Sequence, residues 1–127
     1  MIRFSYFNGD SPPSLVVPAV IAGIGGALVQ DVDAKIDTGA DATVVPTTIR
    51  HALGLVPCGR VTVRGARAEK WTAVPIYQIR LRIAGSDWID TIAVDAPTEY
   101  LVLGRDVLNR FILTAHGPAG WFELALP

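Results

Sequence analysis

In "QIRLRI", residues 78–83, every second side chain is apolar: Ile79, Leu81 and Ile83 alternate with Gln78, Arg80 and Arg82. A period of two sets those apolar side chains on one face of a β-strand, whereas a helix would scatter them around its circumference. Alternation recurs in "IRFSYF" and "RVTVRG", and "SLVVPAVIA" is a short apolar run carrying a proline. Turn signals punctuate these runs: "NGDSPP" at 8–13, "GIGG" at 23–26, "GARAE" at 65–69, "AGSD" at 84–87 and "DAPTE" at 95–99. Short strands bounded in this way predict a small, mostly antiparallel β-domain. Two short helices are expected within it. In "PTTIRHALGL", Thr47 or Thr48 can cap, Ile49, Ala52 and Leu53 share a face, and Gly54 suits a left-handed C-terminal cap. In "GRDVLNRF", Val107, Leu108 and Phe111 recur at helical spacing.

Composition narrows the function classes. A length of 127 residues predicts one domain, 1–127, and half the residues are hydrophobic, so a core forms without disulfides or metals. Charged residues make up 18% and the net charge is −1, which argues against the clustered Lys and Arg of a nucleic-acid binder. The apolar stretch from Leu15 to Leu28 is broken by Pro18 and by glycines, so it does not make a membrane-spanning helix. "MIRFSYFNGD" does not have the layout of a signal peptide, and the chain is expected to be soluble and cytoplasmic. Cys58 is the single cysteine, which excludes an internal disulfide; a partly buried loop position is expected for it. His51 and His116 have no carboxylate or cysteine at metal-ligand spacing, so neither a metal nor another cofactor is expected. "GIGG" is followed by the strand-like "ALVQDVDAKID" rather than a helix, and reads as a turn, not a phosphate loop.

The chemistry concentrates in "AKIDTGADATVVP", residues 34–46. Asp31, Asp33 and Lys35 fall on the polar face of the preceding strand. Asp37 differs: it ends that strand and precedes the small-residue turn Thr38-Gly39-Ala40, which leaves room around its carboxylate. Gly39 can adopt backbone angles closed to other residues, and it lets other groups come close. Asp41 lies beyond the turn.

These residues carry a resemblance. "Asp-Thr-Gly-Ala-Asp" after an apolar strand, then "ATVVP", resembles the active-site loop of the retropepsin-like aspartic proteases. "EYLVLGRDVLNRF", 67 residues further on at Gly104, is similar to that family's second signature: an apolar strand, Gly-Arg-Asp and a short helix. The likeness covers about residues 13–126. It implies a closed β-barrel of the acid-protease type, with a flap hairpin, one or two short helices and a dimeric assembly. It also implies an aspartic endopeptidase whose catalytic group is Asp37. Only one Asp-Thr-Gly is present, so the second carboxyl is expected from Asp37 of a symmetry mate. By the same resemblance Asp41 pairs with Arg105, and Arg105 and Asp106 support the loop. Residues Thr38, Gly39, Ala40 and Asp41 are expected to contact substrate, together with Gly65, Ala66 and Trp71 of the flap. Trp71 read by itself fits a half-buried strand aromatic equally well. The implied partners are a second copy of the chain and an extended peptide or protein substrate. The alternative is a non-catalytic dimer of the same fold that binds peptides without cutting them. The terminal strands "IRFSYF" and "GWFELAL" either interleave across a dimer, as family members often do, or complete the protomer's own sheet.

Overall fold

The apolar half of each alternating run is turned into one barrel. The computed structural model describes residues 1–64 and 70–127, so the expected flap tip, with Gly65 and Ala66, lies outside the described residues. In chain order the elements are β1 (Ile2–Ser5), β2 (Val16–Gly23), β3 (Val29–Ile36), β4 (Thr43–Pro46), α1 (Thr47–Ala52) and β5 (Gly59–Val63). They continue with β6 (Thr72–Ile83), β7 (Ile89–Ala96), β8 (Leu101–Leu103), α2 (Arg105–Leu108), β9 (Ile112–His116) and β10 (Trp121–Ala125).

Six strands close in the order β2-β3-β8-β4-β7-β6, and β6 returns to pair with β2. Closure removes the exposed barrel edges that would otherwise template aggregation. Two of the joins are parallel: Ala34↔Leu101 to Ile36↔Leu103 between β3 and β8, and Thr43↔Ala93 to Pro46↔Ala96 between β4 and β7. The β3–β8 join brings the two strand ends that precede the sequence signatures side by side. That placement builds the site.

Inside the barrel, Ile79, Leu81 and Ile83 are buried, while Gln78 and Arg82 point outward. They pack with Val17, Ile21, Val45, Leu101 and Leu103. Each such burial stabilises by about 1.5–3 kcal/mol relative to exposure. On the outer face Arg82 lies over Trp88, 4.5 Å from its ring centroid, and Arg80 pairs with Asp90 at 2.8 Å. Strand β5 stands apart. It pairs only with the first half of β6, from Gly59↔Ile76 to Val63↔Thr72, as a hairpin projecting from the barrel.

Local details correct two expectations. Helix α1 follows β4 directly, so Pro46, with φ −57°, takes the N-cap position and no side chain caps the helix. Thr47 Oγ1 donates instead to Asp95 Oδ2 at 3.1 Å, an oxygen that also accepts from Arg50 Nε at 3.0 Å. Parallel pairing of Val45 with Asp95 puts that carboxylate in reach. Cys58 is exposed rather than partly buried, because it leads into β5 outside the barrel. Within the protomer, the chain ends pair in a sheet ordered β1-β10-β9. Phe4 stacks on the buried Phe122 at 5.3 Å, and Arg3 pairs with Glu123 at 2.6 Å across β1 and β10. Gly54 does take the left-handed cap, with φ +63°, and "GIGG" is a turn in which Gly26 N–H donates to Gly23 O at 3.3 Å.

Candidate active site

Asp37 sits at the mouth of the β3–β8 join. Its backbone N–H donates to Leu103 O at 3.1 Å, one residue past the Ile36↔Leu103 pair, so the end of the ladder fixes where the side chain starts. The chain then turns tightly: Ala40 N–H donates to Asp37 O at 3.2 Å, and Gly39 N–H donates to Asp37 Oδ1 at 2.9 Å. A Cβ on Gly39 would come within 3.2 Å of that carboxylate oxygen. Gly39 has no positive φ here, so the glycine serves close approach rather than an unusual backbone conformation. Asp37, Thr38 and Gly39 are exposed in the protomer.

Beneath the turn, the second signature holds the first. Arg105 N–H donates to Ala40 O at 2.9 Å, Arg105 Nη1 donates to Thr38 O at 2.8 Å, and Arg105 Nη2 pairs with Asp41 Oδ1. Both side chains of that pair are solvent-accessible, so it contributes about 0–1 kcal/mol to stability. Its consequence is positional: one guanidinium fork grips two points of the loop. Both aspartates of the loop are exposed; Asp41 is engaged by a cation, and Asp37 makes no salt bridge among the described residues.

Asp106 anchors the next layer. Thr43 Oγ1 donates to its Oδ1 at 2.9 Å and Thr91 Oγ1 to its Oδ2 at 2.7 Å, so one carboxylate ties α2 to β4 and β7. Gly104 N–H donates to the fully buried Thr43 Oγ1 at 3.3 Å. Gly104 also has no room for a side chain, because a Cβ would lie 2.6 Å from the carbonyl carbon of Ala42. Thr43 and Thr91 escaped the sequence reasoning. The one available signal was Thr43, a lone hydroxyl in an otherwise apolar strand; Thr91 gave none.

A cavity of about 700 Å³ opens beside the loop. Residues Gly39 to Ala42 form one wall, Val61 to Arg64 of the hairpin another, and Trp71, Ile76, Ile92 and Val94 complete it. Trp71 is 64% exposed, so it is not the half-buried strand aromatic that its sequence setting also allowed. Its ring faces the Arg64 guanidinium at 5.3 Å. Val61, Ile76, Ile92 and Val94 went unnoticed in the sequence because alternation marks a residue as apolar without saying which cleft it lines. Among the described residues no three His, Cys, Asp or Glu side chains gather as metal ligands, and no helix is long and apolar enough to cross a membrane.

A closed barrel, an Asp-Thr-Gly loop at a strand end and an arginine-braced turn together define the retropepsin-like aspartic-protease class. Residues 17–107 match the family model for aspartyl proteases, and the chain belongs to that family. A comparison with curated proteins finds no match. Among solved structures, the foamy viral protease–reverse transcriptase bound to an RNA/DNA hybrid superposes with a TM-score of 0.60 at 14% identity. That alignment covers 81% of this chain and only 12% of the viral one, so this chain spans a small part of it. The simian foamy virus (mac) protease gives a TM-score of 0.56 at 17% identity, over 75% of this chain and 92% of that one. The EIAV protease, solved with an inhibitor, gives 0.55 at 20% identity, over 76% and 86%. At these identities the superpositions establish the fold, which is retropepsin-like.

Proposed function

We propose that this family member is a homodimeric aspartic endopeptidase, with Asp37 of one protomer and Asp37 of its partner as the catalytic pair. The observation that carries this reading is the division of labour in the loop: exposed Asp41 is paired with Arg105, and exposed Asp37, at the strand end, has no cation partner among the described residues. One protomer thus offers half of a two-carboxyl site. A twofold axis through the loop sets a residue opposite its own copy and supplies the other half.

Two carboxyls about 3 Å apart cannot both ionise, so the pair holds one proton between them. The ionised Asp37 takes a proton from water as the water oxygen attacks the scissile carbonyl carbon. The protonated Asp37 gives its proton to the carbonyl oxygen, leaving a tetrahedral gem-diol. Collapse of that intermediate returns a hydroxyl proton to the dyad while the nitrogen gains one from it. The C–N bond breaks, a carboxylic acid and an amine leave, and the shared proton is restored. Gly39 N–H, bonded to Asp37 Oδ1 at 2.9 Å, fixes the direction of that carboxyl's other oxygen. The flap hairpin would cover the peptide and hold it in an extended form.

The test is cleavage of a denatured-protein or peptide-library mixture between pH 4 and 7, by the wild-type protein and by Asp37→Asn. Activity confined to the wild type supports the reading; activity retained by Asp37→Asn overturns the mechanism. Sedimentation at micromolar concentration should give a dimer. A dimer that binds peptides and leaves them intact would be the non-catalytic alternative.

A further inference from the structure

Resting on that protease reading, we infer that Arg64 selects the substrate: the cleft prefers a peptide with a carboxylate two residues from the large apolar side chain that fills it. The walls supply the apolar part. Val61, Trp71 and Ile92 are large hydrophobic side chains left 41%, 64% and 47% exposed, and all three line the same 700 Å³ cavity. A cavity of that size falls in the ~300–1,000 Å³ range of sites that enclose ligands. Exposed apolar side chains gathered in one cleft, rather than scattered, mark a binding surface.

The cation at its lip supplies the selectivity. Arg64 lines this cavity, and its guanidinium lies 5.3 Å from the Trp71 ring centroid. Arg64 follows Val63 and Trp71 precedes Thr72, so both lie just beyond the last ladder pair, where strict strand alternation no longer dictates direction. A cation–π contact with the indole restrains the guanidinium while leaving N–H groups available to a ligand. Arg64 makes no salt bridge among the described residues. Asp41, the carboxylate in the same cavity, is paired with Arg105. Among the described residues, the unmatched charge of the lip is therefore positive. In an extended peptide, side chains two positions apart lie on the same side, about 7 Å from each other. An apolar side chain among Val61, Ile76 and Ile92 then carries its second neighbour toward Arg64, which can grip a carboxylate with two N–H donors.

The experiment uses acetylated, amidated octapeptides with one Phe and a Glu or Gln placed in turn at each other position. Binding is read by fluorescence polarisation on Asp37→Asn, and cleavage on the wild type. A Glu two residues from Phe should improve affinity about fivefold over Gln at low salt. The ratio should fall toward one in Arg64→Gln and in 0.5 M salt, and Arg64→Lys should keep part of it. A Gln peptide ending two residues after Phe, with a free or amidated terminus, distinguishes a chain-end carboxylate from a side-chain one. A ratio of one, a ratio unchanged by Arg64→Gln, or no binding by any peptide overturns the inference. Cleavage without an acidic preference removes Arg64's role and leaves the protease reading intact. Acid-selective binding without cleavage does the reverse.

Discussion

The Asp-Thr-Gly loop and the β5–β6 hairpin face the same cavity, yet they are held in opposite ways. The loop is pinned from below by a ladder end, three bonds or pairs from Arg105 and a carboxylate that bridges two threonines. The hairpin is attached through one strand pairing, and β5 is exposed along most of its length. Catalytic carboxyls need fixed geometry, because a small displacement costs orders of magnitude in rate. A cover over a substrate needs freedom to open, so it belongs to the weakly packed end of the molecule. The contrast fits the two tasks proposed for them.

Substitutions should therefore lower activity and stability in different proportions on the two sides. The largest effect is expected from Asp37→Asn, which should reduce peptide cleavage about 10³-fold or more while leaving the unfolding midpoint nearly unchanged, as its side chain is exposed. Full activity in that variant would end the assignment. Gly104→Ala should come next, destabilising by about 1–3 kcal/mol in urea unfolding, since the added methyl meets the Ala42 backbone at 2.6 Å. Thr43→Val should cost about 1–3 kcal/mol, because it strands a part-buried acceptor on Asp106 and the buried Gly104 N–H. Arg105→Ala should cost 1 kcal/mol or less in stability, about the value of an exposed pair, yet lower kcat through a loosened loop. Equal losses in kcat and in unfolding free energy there would mean that the brace is merely structural. On the hairpin, Trp71→Ala should shift stability within about 0.5 kcal/mol and raise KM instead. A pH profile sharpens the other half of the comparison. On the proposed mechanism it should be bell-shaped, with both limits belonging to the pair rather than to either carboxyl alone.

Much of this contrast was legible in the sequence, unevenly. Asp37, Gly39, Gly104 and Arg105 stand in two short signatures whose order and strand context are readable along the chain, and the structure brings the two signatures into one brace. Thr91 and Ile92 stand in no signature. They reach the site because β7 runs parallel to β4, a pairing between segments about fifty residues apart. Asp106 was expected as support for the loop, but its two hydroxyl partners depend on that same pairing.

The helix cap shows the same limit at short range. Thr47 is a good cap by residue type, yet Asp95 captures its hydroxyl from across the sheet. Gly39 was read as a glycine with two possible uses, and only the folded loop distinguishes them: its φ is ordinary and the carboxylate of Asp37 occupies the space.

By itself, then, the sequence determined the local content: period-two strands, the turns between them and two short helices. These follow from side-chain spacing and backbone preference, which act within a few residues. Only the tertiary structure decided that β6 closes onto β2, that the chain ends share one sheet within the protomer, and that Arg64 stands beside Trp71 at the lip of an apolar cleft. Those are long-range pairings, and their register is selected by the burial of many side chains at once rather than by any one segment.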